Sequence, residues 1–367
     1  MGQWRSTVEG LAVNAEFWRD RKVLVTGHTG FKGAWLVAWL HKLGSDVTGL
    51  SLAPEGDPNL WSLLTLDGSV RHVVGDIRDS AAVNSVLQHD PEIVIHLAAQ
   101  ALVRKSYSDP VDTFATNVTG TVQLLHSIAQ TPSVRSVIVA TSDKVYQNLE
   151  DGKPFVETDR LGGTDPYSAS KGACEIAVQA MRESFFNSTE TAQIATVRAG
   201  NVIGGGDWSE DRLVPDIVRG CLSGQGIVTL RAPASIRPWQ HVLEPLGGYI
   251  TLAERLFDNP TEYCNSVNFG PAYGEEREVH SVAEGIVAKL GRGQIVHDCN
   301  PNALKESKTL RLDSVFASEH LGWRPVLDFD ESLAMTADWY ADWFDGANIY
   351  SITVKQIEHY MQQMTST

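Results

Sequence analysis

The feature that most constrains this chain lies between residues 22 and 43. A short apolar, β-branched run, Lys22 to Thr26 (KVLVT), stops at Gly27; glycines recur at 30 and 33; a helical pattern then runs over 31–43. So apolar a strand is buried on both faces, which is the habit of parallel sheets. The intervening GxxGxxG turn, TGHTGFKG, lets the backbone tighten and lets a pyrophosphate come close. The helix that follows offers that anion unpaired N–H groups and the positive end of its dipole. At the first strand–helix junction such a turn reads as a dinucleotide-binding site. Lys32, inside the turn, either contacts phosphate or faces solvent from the helix.

The pattern then repeats. Strands are expected over 46–50, 70–74, 92–97, 136–140 and 193–198, and helices over 80–88, 112–130 and 166–184. Alternating strands and helices make βαβ units, whose right-handed crossovers build an α/β, doubly wound parallel (Rossmann) sheet. After about residue 200 glycine and proline punctuate the chain heavily, as in GNVIGGGDW and RAPASIRPWQ, so a smaller C-terminal substrate-binding lobe is expected. The expected division is an extension over 1–20, a dinucleotide-binding domain over 21–200, a lobe over 201–350 with some segments returning to the first domain, and a tail over 351–367.

Charge and cysteine usage narrow the partners. The formal net charge of -15 repels nucleic-acid backbones and anionic membranes. An anionic small substrate would therefore need local arginines. Cys174, Cys221, Cys264 and Cys299 have neither CxxC nor metal-ligand spacing, so free thiols and no metal are expected. No secretory leader and no apolar run of the roughly 20 residues needed to span a membrane is visible. A soluble cytoplasmic protein is expected.

The chemistry clusters around the fifth and sixth strands. Tyr167 and Lys171 lie four apart in the helical stretch DPYSASKGACE, hence on one face. An ammonium beside a phenol stabilises the tyrosinate and lowers the tyrosine pKa, which makes a base. Ser142, just after the 136–140 strand in VIVATSDKVY, can hold the hydroxyl being oxidised. Asp76-Ile77 ends the third strand, where the aspartate meets an adenine edge or caps a turn. Gly49-Leu50-Ser51 ends the second and carries no acid for the adenosine ribose, so that position does not discriminate NAD from NADP.

The glycine turn, the YxxxK pair and the hydroxyl after the strand together resemble the extended short-chain dehydrogenase/reductase superfamily, the NAD-dependent epimerases and dehydratases, over roughly residues 20–345. Longer stretches, among them FWRDRKVLVTGHTGFKGAWL, HLAAQALVRKSYSDPVDTFATNV, TSDKVYQN, GGTDPYSASKG, RAGNVIGGGDWSEDRLVPD and RPWQHVLEP, resemble its CDP-glucose 4,6-dehydratase branch. The Asp143-Lys144 pair is similar to that branch, where other 4,6-dehydratases carry Asp-Glu; Val145 departs from it, since cysteine is common there. The resemblance implies NAD as cofactor, CDP-glucose as substrate and a homodimer or homotetramer built on the 112–130 and 166–184 helices.

It also implies roles. Tyr167 removes the C4 hydroxyl proton, with Lys171 as its partner and Ser142 positioning the hydroxyl. Asp143 protonates the departing 6-hydroxyl. Lys144 either takes the C5 proton or only orients the sugar. Cofactor contacts fall at Gly27, Thr29, Gly30, Phe31, Lys32, Asp76, Ile77, Leu97, Ala98, Ala99, Asn117, Thr141, Tyr167 and Lys171. Substrate contacts fall at Gln100, Asn201, Arg212, Arg237 and His241, although His241 could equally pack. Trp208 and Trp239 are pocket walls or core. An epimerase or decarboxylase on the same scaffold would also oxidise C4, yet would not need an acid at 143 beside a base at 144. A silent dinucleotide sensor would have no use for the Tyr167–Lys171 pair.

Overall fold

The computed structural model describes residues 13–66, 68–259, 263–298 and 310–366. Seven parallel strands form its centre: β1 (Lys22–Thr26), β2 (Asp46–Ser51), β3 (Arg71–Val74), β4 (Ile93–His96), β5 (Ser136–Ala140), β6 (Gln193–Arg198) and β7 (Ser266–Asn268). Their spatial order is β7-β6-β5-β4-β1-β2-β3. The order reverses between β1 and β4, which opens a crevice at the carboxyl ends of the strands, where doubly wound sheets bind ligands. The expected strands and their parallel pairing are present, with ends displaced by at most one residue.

Alternation along the strands separates two cores. Leu24, Leu50, Val94, Val137, Val139 and Ile194 face helices α2 (Ser80–Leu87), α3 (Thr121–Ile128) and α4 (Pro166–Phe185). Val23, Val25, Ile93, Ile95, Ile138 and Val197 face a larger core with α1 (Phe31–Lys42), α6 (Leu243–Asp258) and α9 (Ile349–Ser366). The second core is tryptophan-rich: Trp18, Trp35, Trp39, Trp323 and Trp339 are fully buried.

Three expectations need correction. The 112–130 helix is broken into an α-turn at Pro110–Phe114, a π-helix at Ala115–Gly120, and α3. A π-turn carries an extra residue, and here it turns Asn117 inward, where its side chain bonds the Gln100 backbone and Ser170. Residues 351–366 are no tail; they belong to α9, whose Ile352, Ile357 and Tyr360 pack into the larger core. Residues 13–20, before β1, are also anchored: Trp18 is fully buried and its indole N–H donates to Glu254 at 2.5 Å, while the rest of the expected extension, 1–12, lies outside the described residues.

The later part of the chain forms small paired strands, 202–203 with 240–241, 227–230 with 294–297 and 236–238 with 276–278. Helices α5 (Leu213–Leu222), α7 (Val279–Leu290) and α8 (Phe329–Phe344) pack with them. The same region returns α6 and β7 to the central sheet.

Candidate active site

The turn after β1 fits a pyrophosphate. Gly27 has φ +75°, and a Cβ there would stand 2.6 Å from the Ala98 nitrogen. A Cβ on Gly33 would stand 2.1 Å from the Gly27 carbonyl oxygen. Only bare backbone lets the turn, the helix and the end of β4 meet this closely. Gly30 begins α1 without any side-chain cap, so the first N–H groups of Phe31 and its neighbours face the crevice. Leu97 N–H donates to the Thr26 carbonyl and Ala98 N–H to its hydroxyl, which sets the 97–99 wall. At the end of β2, Thr29 and Ser51 share a hydrogen bond of 2.7 Å in place of an acid.

Beyond β5, Ser142 is held in extended backbone and caps a short 3₁₀ turn at Asp143–Val145. Its hydroxyl donates to Asp143 Oδ1 at 2.9 Å. Asp143 is 3% exposed, and its other oxygen meets Asn201 Nδ2 at 3.5 Å. Asn201 takes a left-handed φ of 51° to do so. Gly200 passes so close that a Cβ there would lie 1.8 Å from Asp143 Oδ2. The Lys144 side chain is half-buried beside it.

Helix α4 opens with Asp165 capping Ser168 and Pro166 in the first turn, which points Tyr167 and Lys171 at the same crevice. Both are buried. The Ser142 hydroxyl lies beside the Tyr167 phenol. The expected lowering of the phenol by Lys171 is not what governs it here. Burial raises the Tyr167 pKa, and the neighbouring Ser142 hydroxyl offsets this only in part. Burial also pulls the Lys171 ammonium down, against Cys174 and Glu175, and its Nζ donates to the Ala140 carbonyl at 3.1 Å.

Lys32 belongs with this group. It is half-buried, and burial first, then Arg212, lower its pKa to about 8, while Asp143 pulls the other way and Lys171 adds to the lowering. Its ammonium therefore senses the carboxylate and cations of the reaction centre. Arg212 starts α5 and lies 3.7 Å from Asp207. Arg237 is buried at 9% exposure on the 236–238 strand.

Other expected contacts are committed inward. The Gln100 amide bonds Leu102 and Thr113, and the Asn117 amide bonds Gln100 and Ser170. The Asp76 carboxylate is taken up by Arg78, which lowers its pKa, and Arg78 reaches on to Asp112. Ile77, at 4% exposure, packs under Gly120. Thr141 gives its hydroxyl to Glu175. His241 is fully buried, edge-on to Trp35, and burial drives its pKa to about 3. Trp239 is core at 7% exposure, and Trp208 packs edge-on to Tyr340 and Trp343.

Among the described residues no group of three or more His, Cys, Asp or Glu could hold a metal, and no helix is long and apolar enough to cross a membrane. Cys174, Cys221 and Cys264 are free thiols; Cys299 lies outside the described residues.

The profile of the NAD dependent epimerase/dehydratase family matches residues 23–264. The chain belongs to that family. A curated CDP-glucose 4,6-dehydratase of Salmonella typhimurium is 41% identical over 96% of this chain and 99% of its own length. A dTDP-glucose 4,6-dehydratase of Xanthomonas campestris pv. campestris is 28% identical over 86% of this chain and 92% of its own. Among solved structures, the UDP-glucose 4-epimerase of Thermus thermophilus in complex with NAD superposes with TM-score 0.72, at 26% identity over 87% of this chain and 98% of that one.

Proposed function

We propose that this chain is an NAD-dependent hydro-lyase that converts CDP-glucose to CDP-4-keto-6-deoxyglucose. The observation that carries the reading is the buried Asp143 carboxylate, hydrogen-bonded by Ser142 and approached by Asn201, directly beside the Tyr167 phenol. Oxidation at C4 alone, as in an epimerase, needs Tyr167, Lys171 and Ser142 but leaves an adjacent acid without work. The near full-length likeness to a CDP-glucose 4,6-dehydratase supports the substrate.

The residues divide the work. Gly27, Gly30, Phe31 and the 97–99 wall would hold the cofactor diphosphate. Bound there, NAD would supply the hydride acceptor for C4 and the hydride donor for C6. Tyr167 removes the C4 hydroxyl proton while Ser142 holds that hydroxyl, and Lys171 stabilises the phenolate that forms. The resulting ketone acidifies the C5 proton. Lys144 takes that proton, Asp143 passes to the C6 oxygen the proton that Tyr167 drew from the C4 hydroxyl, received through the Ser142 hydroxyl that donates to it, the C6–O bond breaks, and water leaves; Lys144 then returns its proton to C5 as the hydride enters at C6. Arg212 and Arg237 suit the substrate diphosphate by charge.

Exposed apolar side chains on the outer helices, Tyr107, Val111 and Phe114 before α3 and Ile176 and Phe185 on α4, support a homodimer across this face. The free thiols support a cytoplasmic setting.

The test is incubation of the purified protein and NAD with CDP-glucose and, separately, dTDP-, UDP- and GDP-sugars, followed by mass spectrometry. Loss of one water from CDP-glucose alone supports both mechanism and base. Loss of water from another nucleotide sugar keeps the mechanism and removes the cytosine assignment. Interconversion of epimers without loss of water overturns the reading.

A further inference from the structure

Helix α4 carries a charged residue that none of these steps uses. Glu175 stands one turn beyond Lys171 and is 4% exposed. Its Oε1 accepts from Thr141 Oγ1 at 2.5 Å and from Arg198 Nε at 2.8 Å. Its Oε2 accepts from Thr196 Oγ1 at 2.7 Å, Arg198 Nη2 at 3.0 Å and Ser266 Oγ at 3.2 Å. Arg198, at the end of β6, is equally buried. Its remaining nitrogen, Nη1, donates to Tyr146 Oη at 2.7 Å and to the Glu157 carbonyl at 3.0 Å.

A buried ion pair costs desolvation and is often replaced by apolar residues without loss of stability. Stability therefore does not explain why five hydrogen bonds converge on this carboxylate. The partners do. Thr141 and Tyr146 flank the segment that carries Ser142, Asp143 and Lys144. The carboxylate holds the front of that segment and the guanidinium holds its back, while the carboxylate itself rides on the helix that carries Tyr167 and Lys171. Ala140, one residue earlier, accepts the Lys171 ammonium at 3.1 Å.

We propose that the Glu175–Arg198 pair is a positioning clamp that fixes the 141–146 segment against helix α4, and that the Glu175 carboxylate is the counter-charge of Lys171. The proposal rests on the dehydratase reading. Around Lys171 stand Tyr167, Cys174 and Glu175 from its own helix, Lys32 from α1 and His96 from β4. Of these groups Glu175 alone is a carboxylate. Arg198 keeps it charged: its hydrogen bonds and charge hold the Glu175 pKa below the usual value against burial.

A polar cavity of about 230 Å³, lined by Glu157, Asp159, Arg182, Glu175 and Arg198 among others, reaches the pair. A small carboxylate can enter it, which makes the clamp open to chemical rescue.

The experiment uses the full-length protein with NAD and the nucleotide sugar that the parent dehydrates. In Glu175→Ala, kcat falls by about 10²-fold with KM little changed, because the acid and base sit about 1 Å out of place. Added formate restores a severalfold part of kcat in Glu175→Ala and leaves the parent unaffected. In Glu175→Gln the alkaline limb of kcat/KM moves to lower pH, since the Lys171 ammonium has lost its counter-charge; in Glu175→Asp it does not move. Tyr146→Phe, which unties only the back of the segment, lowers kcat in the same direction and serves if Glu175→Ala does not fold. The clamp is overturned if the folded variants keep parental kcat. It is equally overturned if activity falls only in step with the folded fraction, with unmoved pH limbs and no response to formate. If the parent interconverts epimers instead of losing water, the dehydratase reading fails by itself, and the same variants are read on that reaction, where the clamp predicts the same loss.

Discussion

Gly200→Ala is the sharpest test of the acid at Asp143. Ordinary van der Waals contact begins at about 3.4 Å, whereas a Cβ at 200 would stand 1.8 Å from Asp143 Oδ2 and 2.1 Å from its Cγ. The carboxylate must then retreat by about 1.6 Å. It has little room to do so, being 3% exposed and bonded to Ser142 at 2.9 Å. A misplacement of about 1 Å in a reacting group costs about 10²-fold in rate, or about 2.7 kcal/mol of barrier. Overpacking itself costs about 1–3 kcal/mol of stability, so the variant is expected to fold with a lowered Tm. The assay separates two steps: hydride removal from C4, followed as reduced cofactor in a single turnover, and loss of water, followed by mass spectrometry. Elimination is expected to fall about 10²-fold while C4 oxidation changes far less, because Tyr167, Lys171 and the cofactor turn are not touched. Equal losses in both steps, or elimination within about threefold of the parent in a well-folded variant, would refute Asp143 as the acid of the second step.

Three further outcomes follow from the same geometry. Gly33→Ala places a Cβ 2.1 Å from the Gly27 carbonyl, backbone that cannot yield, and is expected to abolish measurable NAD binding in calorimetry while the chain stays folded. Tyr167→Phe removes the base and is expected to lower kcat by about 10²–10⁴-fold with no reduced cofactor in a single turnover. Glu244, fully buried, accepts from the Val326 and Leu327 N–H groups and the Tyr360 hydroxyl, and burial raises its pKa to about 7. The folded state therefore keeps a proton that the unfolded chain releases near its ordinary value of 4.5, so stability is full below that pH and declines as pH rises toward 7. Its share is about 3 kcal/mol, and Glu244→Gln should flatten the fall of Tm between pH 5 and 7; an unchanged slope would remove Glu244 as its source.

The sheet was legible because its determinants are local. β-branched runs such as KVLVT and SVIVA favour a buried parallel strand, and KVLVT stops at Gly27. The break in the 112–130 helix was not, because nothing in its periodicity marks residue 117. The π-helix there follows from a tertiary demand, the Asn117 amide bridging the Gln100 backbone and Ser170. The helix at 349–366 escaped notice for a related reason. Its apolar positions are sparse, and they become a face only against Trp39, whose ring meets Tyr360.

The site divides along the same line. Motif position placed Ser142, Asp143, Tyr167 and Lys171 together, and the structure brings them to one crevice. Motif position also placed Gln100 and His241 at the substrate, yet it says nothing of which way a side chain turns, and these two turn inward. Conversely, the Glu175–Arg198 pair left a trace that motif reading does not weigh. In QIATVR a strand buried along its whole length ends in an arginine, and in SKGACE a glutamate follows Lys171 on its own helix face. A charge inside a buried run must have a partner, since an unpaired one costs far more than a strand can supply. Two such orphans in one sequence, each beside a segment that carries catalysis, are each other's answer. That makes unexplained charge within an apolar run the signal by which positioning residues of this kind can be sought from an amino-acid sequence alone.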